Sequence, residues 1–136
     1  MIYRNRIRTI KNSTETTLET TTVSASTVAF ALTTSDYLYV GHDKPFTTRY
    51  FALGTVNSNS ITVSIDYWNG TAWTAVEDKV DQTLGFTQSG FISWQNNSDW
   101  VKKAQTPISD VELYWVRVSV SGSLSAGTTL QAVLNL

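Results

Sequence analysis

Residues 61–73 read ITVSIDYWNGTAW, and this stretch decides the fold. Apolar and polar residues alternate strictly as far as Trp68, as expected of a half-buried β-strand. The aliphatic side of that strand, which we expect to face the core, comprises Ile61, Val63, Ile65 and Tyr67. Asn69 and Gly70 follow it and give a strong hairpin signal, because both central residues of a type I′ turn need positive φ. The sequence therefore predicts a β-hairpin that turns at Asn69 and Gly70.

Trp68 and Trp73 flank this turn, and Trp68 falls on the side away from the aliphatic row. A two-residue loop would place Trp73 opposite Asp66, whereas a four-residue loop would pair the two tryptophans directly. Only an odd loop with a bulge would turn Trp73 inward. Two interpretations follow. A second layer, such as the segment with Trp94 and Trp100, covers both rings, or the rings form a contact surface for a neighbouring subunit or a sugar.

Short apolar segments divided by turn residues continue on both sides of the hairpin. Besides the hairpin strands, we predict strands at 23–32, 36–41, 46–54, 86–94, 111–120 and 129–136, and one helical turn within 96–103. In the last strand, period two places Leu130, Ala132, Leu134 and Leu136 on one face. Many short strands with regular turns predict an all-β chain, folded as a single antiparallel, jelly-roll-like β-sandwich.

The first thirty residues differ from the rest. Residues 14–22 read TETTLETTT, with no apolar row to bury, so we predict an extended, Thr-rich N-terminal arm over 1–30 and a β-sandwich domain over 31–136. We expect the arm to lie on a partner chain or to complete a sheet.

Alternation within the arm separates two kinds of side chain. On an extended strand, Arg4, Arg6 and Arg8 share one side while Tyr3 and Ile7 share the other, which suits an acidic neighbour and makes the arm a candidate assembly element. The alternative is an ordinary solvated edge strand whose charges prevent aggregation of sheets.

Composition narrows the function classes. The 136 residues suffice for one domain, and only 15% are charged, against about a quarter in an average protein. A net charge of −1 gives no support for nucleic acid as a partner, and no apolar run resembles a signal peptide or a membrane span. Because there is no cysteine, disulfides and thiolate metal sites are excluded.

Residues with catalytic or metal-binding chemistry are few and scattered. His42 is the single histidine and lies between two strands, where turn chemistry is expected. The acidic group Glu77, Asp78 and Asp81 lacks the alternating ligand pattern of a calcium loop. Paired carboxylates of a glycan-degrading enzyme are not recognisable either. We therefore predict no catalytic residue, no metal site, no cofactor and no enzymatic activity.

A set of separated aromatic anchors forms a wider pattern over residues 61–130. It consists of Tyr/Trp-Trp-Asn-Gly-x-x-Trp, an Asp-rich connection, Thr-Gln-Ser-Gly, Asp-Trp with following lysines, and Tyr-Trp-x-Arg-Val. Here these positions are Tyr67, Trp68, Asn69, Gly70, Trp73, Asp78, Asp81, Thr87, Gln88, Ser89, Gly90, Trp94, Asp99, Trp100, Tyr114, Trp115 and Arg117. The pattern resembles a module of tailed-bacteriophage virion proteins and of baseplate proteins in phage-like injection systems.

The resemblance implies a structural component of a virion, without catalysis. It would stand at the capsid surface as decoration or cement, or in the neck, tail or baseplate, as a homo-oligomer in contact with other capsid, neck or tail proteins. Low charge and the Thr-rich arm agree with this hypothesis. The alternative is a carbohydrate-binding β-sandwich in which Trp68 and Trp73 stack on sugar rings, and it requires two coplanar aromatic rings in water.

The tryptophans also have a structural interpretation. Trp115 lies on the side of its strand opposite Tyr114 and Val116, so both faces of that strand carry apolar residues. We predict that the five tryptophans form a second small core, with Arg117 stacked on it or hydrogen-bonded to it. This aromatic cluster comprises Trp68, Trp73, Trp94, Trp100 and Trp115.

Overall fold

The computed structural model describes residues 5–11, 14–18, 27–104 and 112–135, and these form twelve strands in two antiparallel sheets without any helix. The first sheet contains β1 (Asn5–Lys11), β2 (Thr14–Leu18), β4 (Tyr37–His42), β6 (Val63–Trp68), β7 (Trp73–Ala75), β10 (Lys103–Ala104) and β11 (Glu112–Val120). The second contains β3 (Val28–Ala29), β5 (Thr48–Leu53), β8 (Val80–Asp81), β9 (Gly90–Ser93) and β12 (Thr129–Leu134). The sheets pack face to face, so the predicted all-β sandwich is confirmed.

The order of the strands in the two sheets is that of a jelly roll. The first sheet runs β2-β1-β4-β11-β6-β7, with β10 beside one end of β11, and the second runs β3-β12-β5-β9-β8. In each sheet a late strand, β11 or β12, is inserted between two early ones, and the chain passes from one sheet to the other at most connections. This interleaving of two antiparallel sheets is the double Greek key of a jelly roll.

The N-terminal stretch adds a hairpin to the first sheet. β1 pairs with β4, where Ile7 is aligned with Val40 and Arg8 with Tyr39, and β2 pairs with β1 on the other side. Residues 5–11 and 14–18 thus complete a sheet of their own chain. This is one of the two expectations for the arm, while its contact with a partner chain stays a prediction.

Of the proposed assembly residues in this stretch, Tyr3 and Arg4 lie outside the described residues. For Arg6, Ile7 and Arg8 only the backbone within β1 is described. Residues 19–26 also lie outside the described residues. They include 23–26, the first part of the predicted strand 23–32, which is represented by β3 alone.

The main core fills the space between the two sheets. As predicted, Val63, Ile65 and Tyr67 of β6 face inward, with Ile61 packed partly against them. They meet side chains from both sheets, all of them buried, including Val116, Val118 and Val120 of β11, Phe51 and Leu53 of β5, Ile92 of β9 and Phe86. Alternate residues of each strand build this core, as the pleat of a sheet requires.

The last strand departs from the predicted period. The pairing of β12 with β5 shifts between Leu130 and Ala132, so the main core receives Leu130 and Val133. Ala132 and Leu134 are buried outside that cluster, and Leu136 lies outside the described residues. A β-bulge adds one residue to a strand and reverses the alternation beyond it, which a strict period cannot foresee. Where one helical turn was predicted within 96–103, the chain makes a single hydrogen-bonded turn at residues 98–99, with the Trp100 N–H donating to the Asn97 carbonyl at 3.1 Å, and then enters β10.

Candidate interaction surface

The hairpin of residues 63–75 is closed by a four-residue loop, which aligns Trp68 with Trp73 across the strands. The Asn69 side-chain oxygen accepts hydrogen bonds from the backbone N–H groups of Thr71 and Ala72, at 2.9 and 2.8 Å. Gly70 has a φ of +98°, but Asn69 does not have positive φ, so the expected type I′ turn is wrong. The Asn69 side chain supplies the acceptors that close the longer loop.

Trp68 and Trp73 are both half-buried and meet edge to face. Their ring centroids are 5.6 Å apart and the ring planes are inclined by 65°. The Lys103 ammonium lies 4.3 Å from the Trp68 centroid and 5.3 Å from that of Trp73. Two rings in this arrangement, with a cation over them, do not offer the coplanar exposed platform that a sugar ring needs.

Trp115 anchors the outer face of the first sheet. It is fully buried beside Tyr39 and Leu113, and Trp73 packs against this cluster. Its indole N–H donates to the Lys103 carbonyl at 3.0 Å, which ties β10 to the sheet. These residues, with Trp68 and Tyr37, are called the outer cluster below.

Arg117 joins the outer cluster to the neighbouring strands. Its Nη2 lies 3.2 Å from a carboxylate oxygen of Asp66, and its guanidinium carbon is 4.4 Å from the Tyr37 ring centroid and 4.9 Å from that of Trp73. Burial and the nearby Arg117 charge lower the pKa of Lys103, while burial raises the pKa of Tyr39. The predicted stacking of Arg117 on aromatic rings and its hydrogen bonding are thus present. The pKa shifts of Lys103 and Tyr39 both favour the uncharged form of these side chains.

Trp94 and Trp100 do not belong to the outer cluster, so the prediction of one cluster of five tryptophans is wrong. Both lie in the main core, where Phe46 packs 5.8 Å from Trp94 and 4.9 Å from Trp100. The Trp94 indole donates to the Phe46 carbonyl and the Trp100 indole to the Trp115 carbonyl, each at 3.1 Å. The segment that carries them leaves β9 of the second sheet, so their rings enter between the sheets.

Sequence reasoning missed Arg49, which is 1% exposed in the main core. Its Nη1 donates to the Thr48 carbonyl at 2.8 Å and to the Asn135 side chain at 3.3 Å, and its guanidinium carbon is 3.8 Å from the Phe46 centroid. Nε and Nη2 are buried without a hydrogen bond, and burial lowers its pKa to about 10. The sequence did contain one signal for its burial: Arg49 lies two residues before Phe51 and therefore on the same face of β5.

His42 supports the turn that follows β4. Its Nδ1 accepts the backbone N–H of Lys44 at 3.1 Å, and burial together with the Arg49 charge lowers its pKa. Within the described ranges, His, Cys, Asp and Glu side chains form no group of three that could hold a metal ion. Nor does that part of the chain contain a helix long and apolar enough to cross a membrane.

Neither a family model nor a curated protein matches this sequence.

Proposed function

We propose that this chain is a non-enzymatic structural subunit of a tailed-phage particle or of a phage-like injection machine. One observation carries the proposal: the residues of the phage-like pattern act as packing and hydrogen-bonding elements of the sandwich. Trp94 and Trp100 fill the main core, Trp115 and Arg117 hold the outer cluster, and Asn69 closes the hairpin loop. The pattern therefore encodes a rigid β-module, which is what an assembly needs from a subunit.

The open sheet edges support association with other subunits. Among the described strands, β2 and β7 end the first sheet and β3 and β8 end the second. Backbone groups on such edges are unpaired within the sheet, and natural proteins use them for contacts between chains. With 15% charged residues, the surface is also suited to contact with neighbouring proteins. The proposed position of the subunit in the particle is the capsid surface, the neck, the tail or the baseplate.

Mass spectrometry of purified particles tests this proposal. Particles from the cells that encode the chain should contain it in a fixed ratio to the major capsid or tail protein after density-gradient purification. A chain that remains in the soluble fraction and is absent from intact particles would contradict the structural role. The glycan alternative has no support from the geometry of Trp68 and Trp73.

A further inference from the structure

The Asn69–Gly70 peptide, which closes the hairpin loop, also carries a spontaneous chemical reactivity. Of the eight asparagines in the sequence, Asn69 is the only one that is followed by glycine. The backbone nitrogen of the next residue can attack the side-chain amide carbon of an asparagine, and a glycine there has no β-carbon to obstruct the approach. Gly70, Thr71 and Ala72 are exposed, so this reaction would take place in contact with water.

The reaction needs water and no other reactant. The Gly70 nitrogen bonds to Cγ of Asn69, the bond between Cγ and Nδ2 breaks, and Nδ2 leaves as ammonia with the proton that the Gly70 nitrogen gives up. The product is a five-membered succinimide ring. Water then adds to one of the two ring carbonyl carbons and opens the ring, which leaves either aspartate or isoaspartate in the chain.

In the closed loop, hydrogen bonds hold both polar atoms of the Asn69 amide. Oδ1 accepts the N–H groups of Thr71 and Ala72 at 2.9 and 2.8 Å, and Nδ2 donates to the Thr74 hydroxyl oxygen at 3.0 Å. Attack converts the planar Cγ into a tetrahedral centre and removes Nδ2, so this set of bonds cannot persist through the reaction. The closed loop therefore opposes the attack.

The backbone on both sides of the reacting peptide is also held. The Asn69 N–H donates to the Ala72 carbonyl at 3.2 Å, and the Val101 N–H donates to the Trp68 carbonyl at 2.9 Å. The Val101 side chain lies against Gly70, since a β-carbon on that glycine would be 3.5 Å from it. These contacts restrict the rotations that bring the Gly70 nitrogen onto Cγ of Asn69.

We propose that Asn69 is a fold-gated modification site, at which the succinimide forms when the β6–β7 loop opens and is suppressed while the loop is closed. Opening of the loop releases both polar atoms of the side-chain amide and leaves an exposed Asn-Gly peptide. Local opening of an exposed loop costs much less free energy than global unfolding. Modification at Asn69 thus records openings of the hairpin in a chain that is otherwise folded.

The two products differ in their effect on the hairpin. Aspartate keeps an acceptor oxygen in the position of Oδ1, whereas isoaspartate passes the main chain through the β-carbon and so lengthens the loop backbone by one atom. The natural loop aligns Trp68 with Trp73, and the hydrogen bond from Asn69 to the Ala72 carbonyl spans it. The longer backbone shifts this pairing, so formation of isoaspartate makes the opening of the hairpin permanent.

Mass spectrometry of the full chain, incubated in mildly alkaline buffer with and without guanidinium chloride, tests the gate. Replacement of the amide nitrogen by oxygen raises the mass, and peptide mapping assigns the change to Asn69. We expect this modification to be about tenfold or more slower in the folded chain than in the unfolded one, because only the opened fraction reacts. Equal rates in the two states would overturn the proposal.

Thr74→Val tests the side-chain bonds directly. Valine has nearly the shape of threonine but offers no acceptor to Nδ2 of Asn69, so modification of the folded variant should be severalfold faster, with an unchanged rate in guanidinium chloride. Thr47→Val is the matched control, because Thr47 is exposed and lies outside the hairpin, and it should react like the natural chain. A folded Thr74→Val chain without acceleration would overturn the gate.

The isolated isoaspartate form provides a second readout. It should melt at a lower temperature than the natural chain, and its tryptophan fluorescence should change, because Trp68 and Trp73 flank the altered loop. An isoaspartate form with the melting temperature and fluorescence of the natural chain would contradict the permanent opening of the hairpin.

Discussion

Trp115 and Gly41 are paired across strands β11 and β4, and the indole occupies the space where a side chain at residue 41 would begin. A β-carbon on Gly41 would stand 2.6 Å from two ring atoms of Trp115, closer than carbon atoms can approach. The absence of a side chain at Gly41 thus allows the outer cluster to lie directly on the sheet.

Gly41→Ala should therefore destabilise the protein. Because Trp115 is fully buried, its ring cannot move without disturbing Tyr39 and Leu113. We expect a loss of about 1–3 kcal/mol in the free energy of unfolding, the usual cost of overpacking. Urea denaturation measures it. Gly127→Ala is the control, because nothing lies within 4 Å of a β-carbon there, and equal losses in both variants would contradict the packing account.

Trp73→Ala tests whether the tryptophan pair is structural. Trp73 packs 5.8 Å from Tyr39, 5.6 Å from Trp68 and 4.9 Å from the guanidinium carbon of Arg117. Removal of this half-buried ring should lower the free energy of unfolding by about 2–3 kcal/mol, somewhat less than for a fully buried aromatic. Thermal unfolding of the purified chain measures the loss, and an unchanged melting temperature with weakened assembly would make the ring a contact residue.

Arg49→Met should stabilise the protein. The Arg49 guanidinium is buried without a carboxylate partner among the described residues, and two of its nitrogens make no hydrogen bond. Replacement of buried ionic groups by apolar ones of similar size is often neutral or stabilising, and we expect a gain of about 1–3 kcal/mol at pH 7. Arg117→Met is the comparison, because Arg117 is paired with Asp66, and that variant should be less stable than the natural chain.

The gain from Arg49→Met should depend on pH. Burial lowers the pKa of Arg49 to about 10 from its ordinary value of 12.5, so the charged form weakens the folded state throughout the range below pH 10. This weakening disappears as the pH rises from about 10 towards 12.5. The difference in unfolding free energy between variant and natural chain should be smaller at pH 11 than at pH 7, and a constant difference would refute the desolvation argument.

Asn69→Ala should weaken the hairpin. The variant loses the acceptor for the Thr71 and Ala72 N–H groups and the donor to the Thr74 hydroxyl. Because the loop is largely exposed and water replaces part of these bonds, we expect a loss of about 0.5–1.5 kcal/mol. Asn69→Asp keeps the acceptor oxygens and should recover most of the loss in the same denaturation experiment. No recovery would mean that the side-chain acceptor does not hold the loop.

The alternation of residues predicted the β6 strand, its inward row and the jelly-roll sandwich, because period two reports directly on which side of a strand is buried. It could not locate Trp94 and Trp100, which follow β9 in a segment without a period. The bulge in β12 reversed the facing of Ala132, a local event that a regular pattern does not reveal.

The candidate surface was only partly predictable for similar reasons. The four-residue loop was one of several loop lengths compatible with the sequence, and the partner of β1 could not be told from its own residues. The position of Arg49 in its strand is that of a core residue, but a charged side chain is normally expected at the surface. The positive φ of Leu84, +50°, also gave no signal in the sequence, because Asp81 and Asn57 hold the β8–β9 connection through hydrogen bonds to the next residue, Gly85.

The most direct test of the structural role is the mass of the full chain in solution, measured by multi-angle light scattering as the concentration is raised. The proposed subunit should reach a mass of at least twice the 15.1 kDa of the single chain, because its open sheet edges can pair with further copies. A mass that stays at 15.1 kDa at every concentration would contradict an account of this β-sandwich as a self-assembling building block.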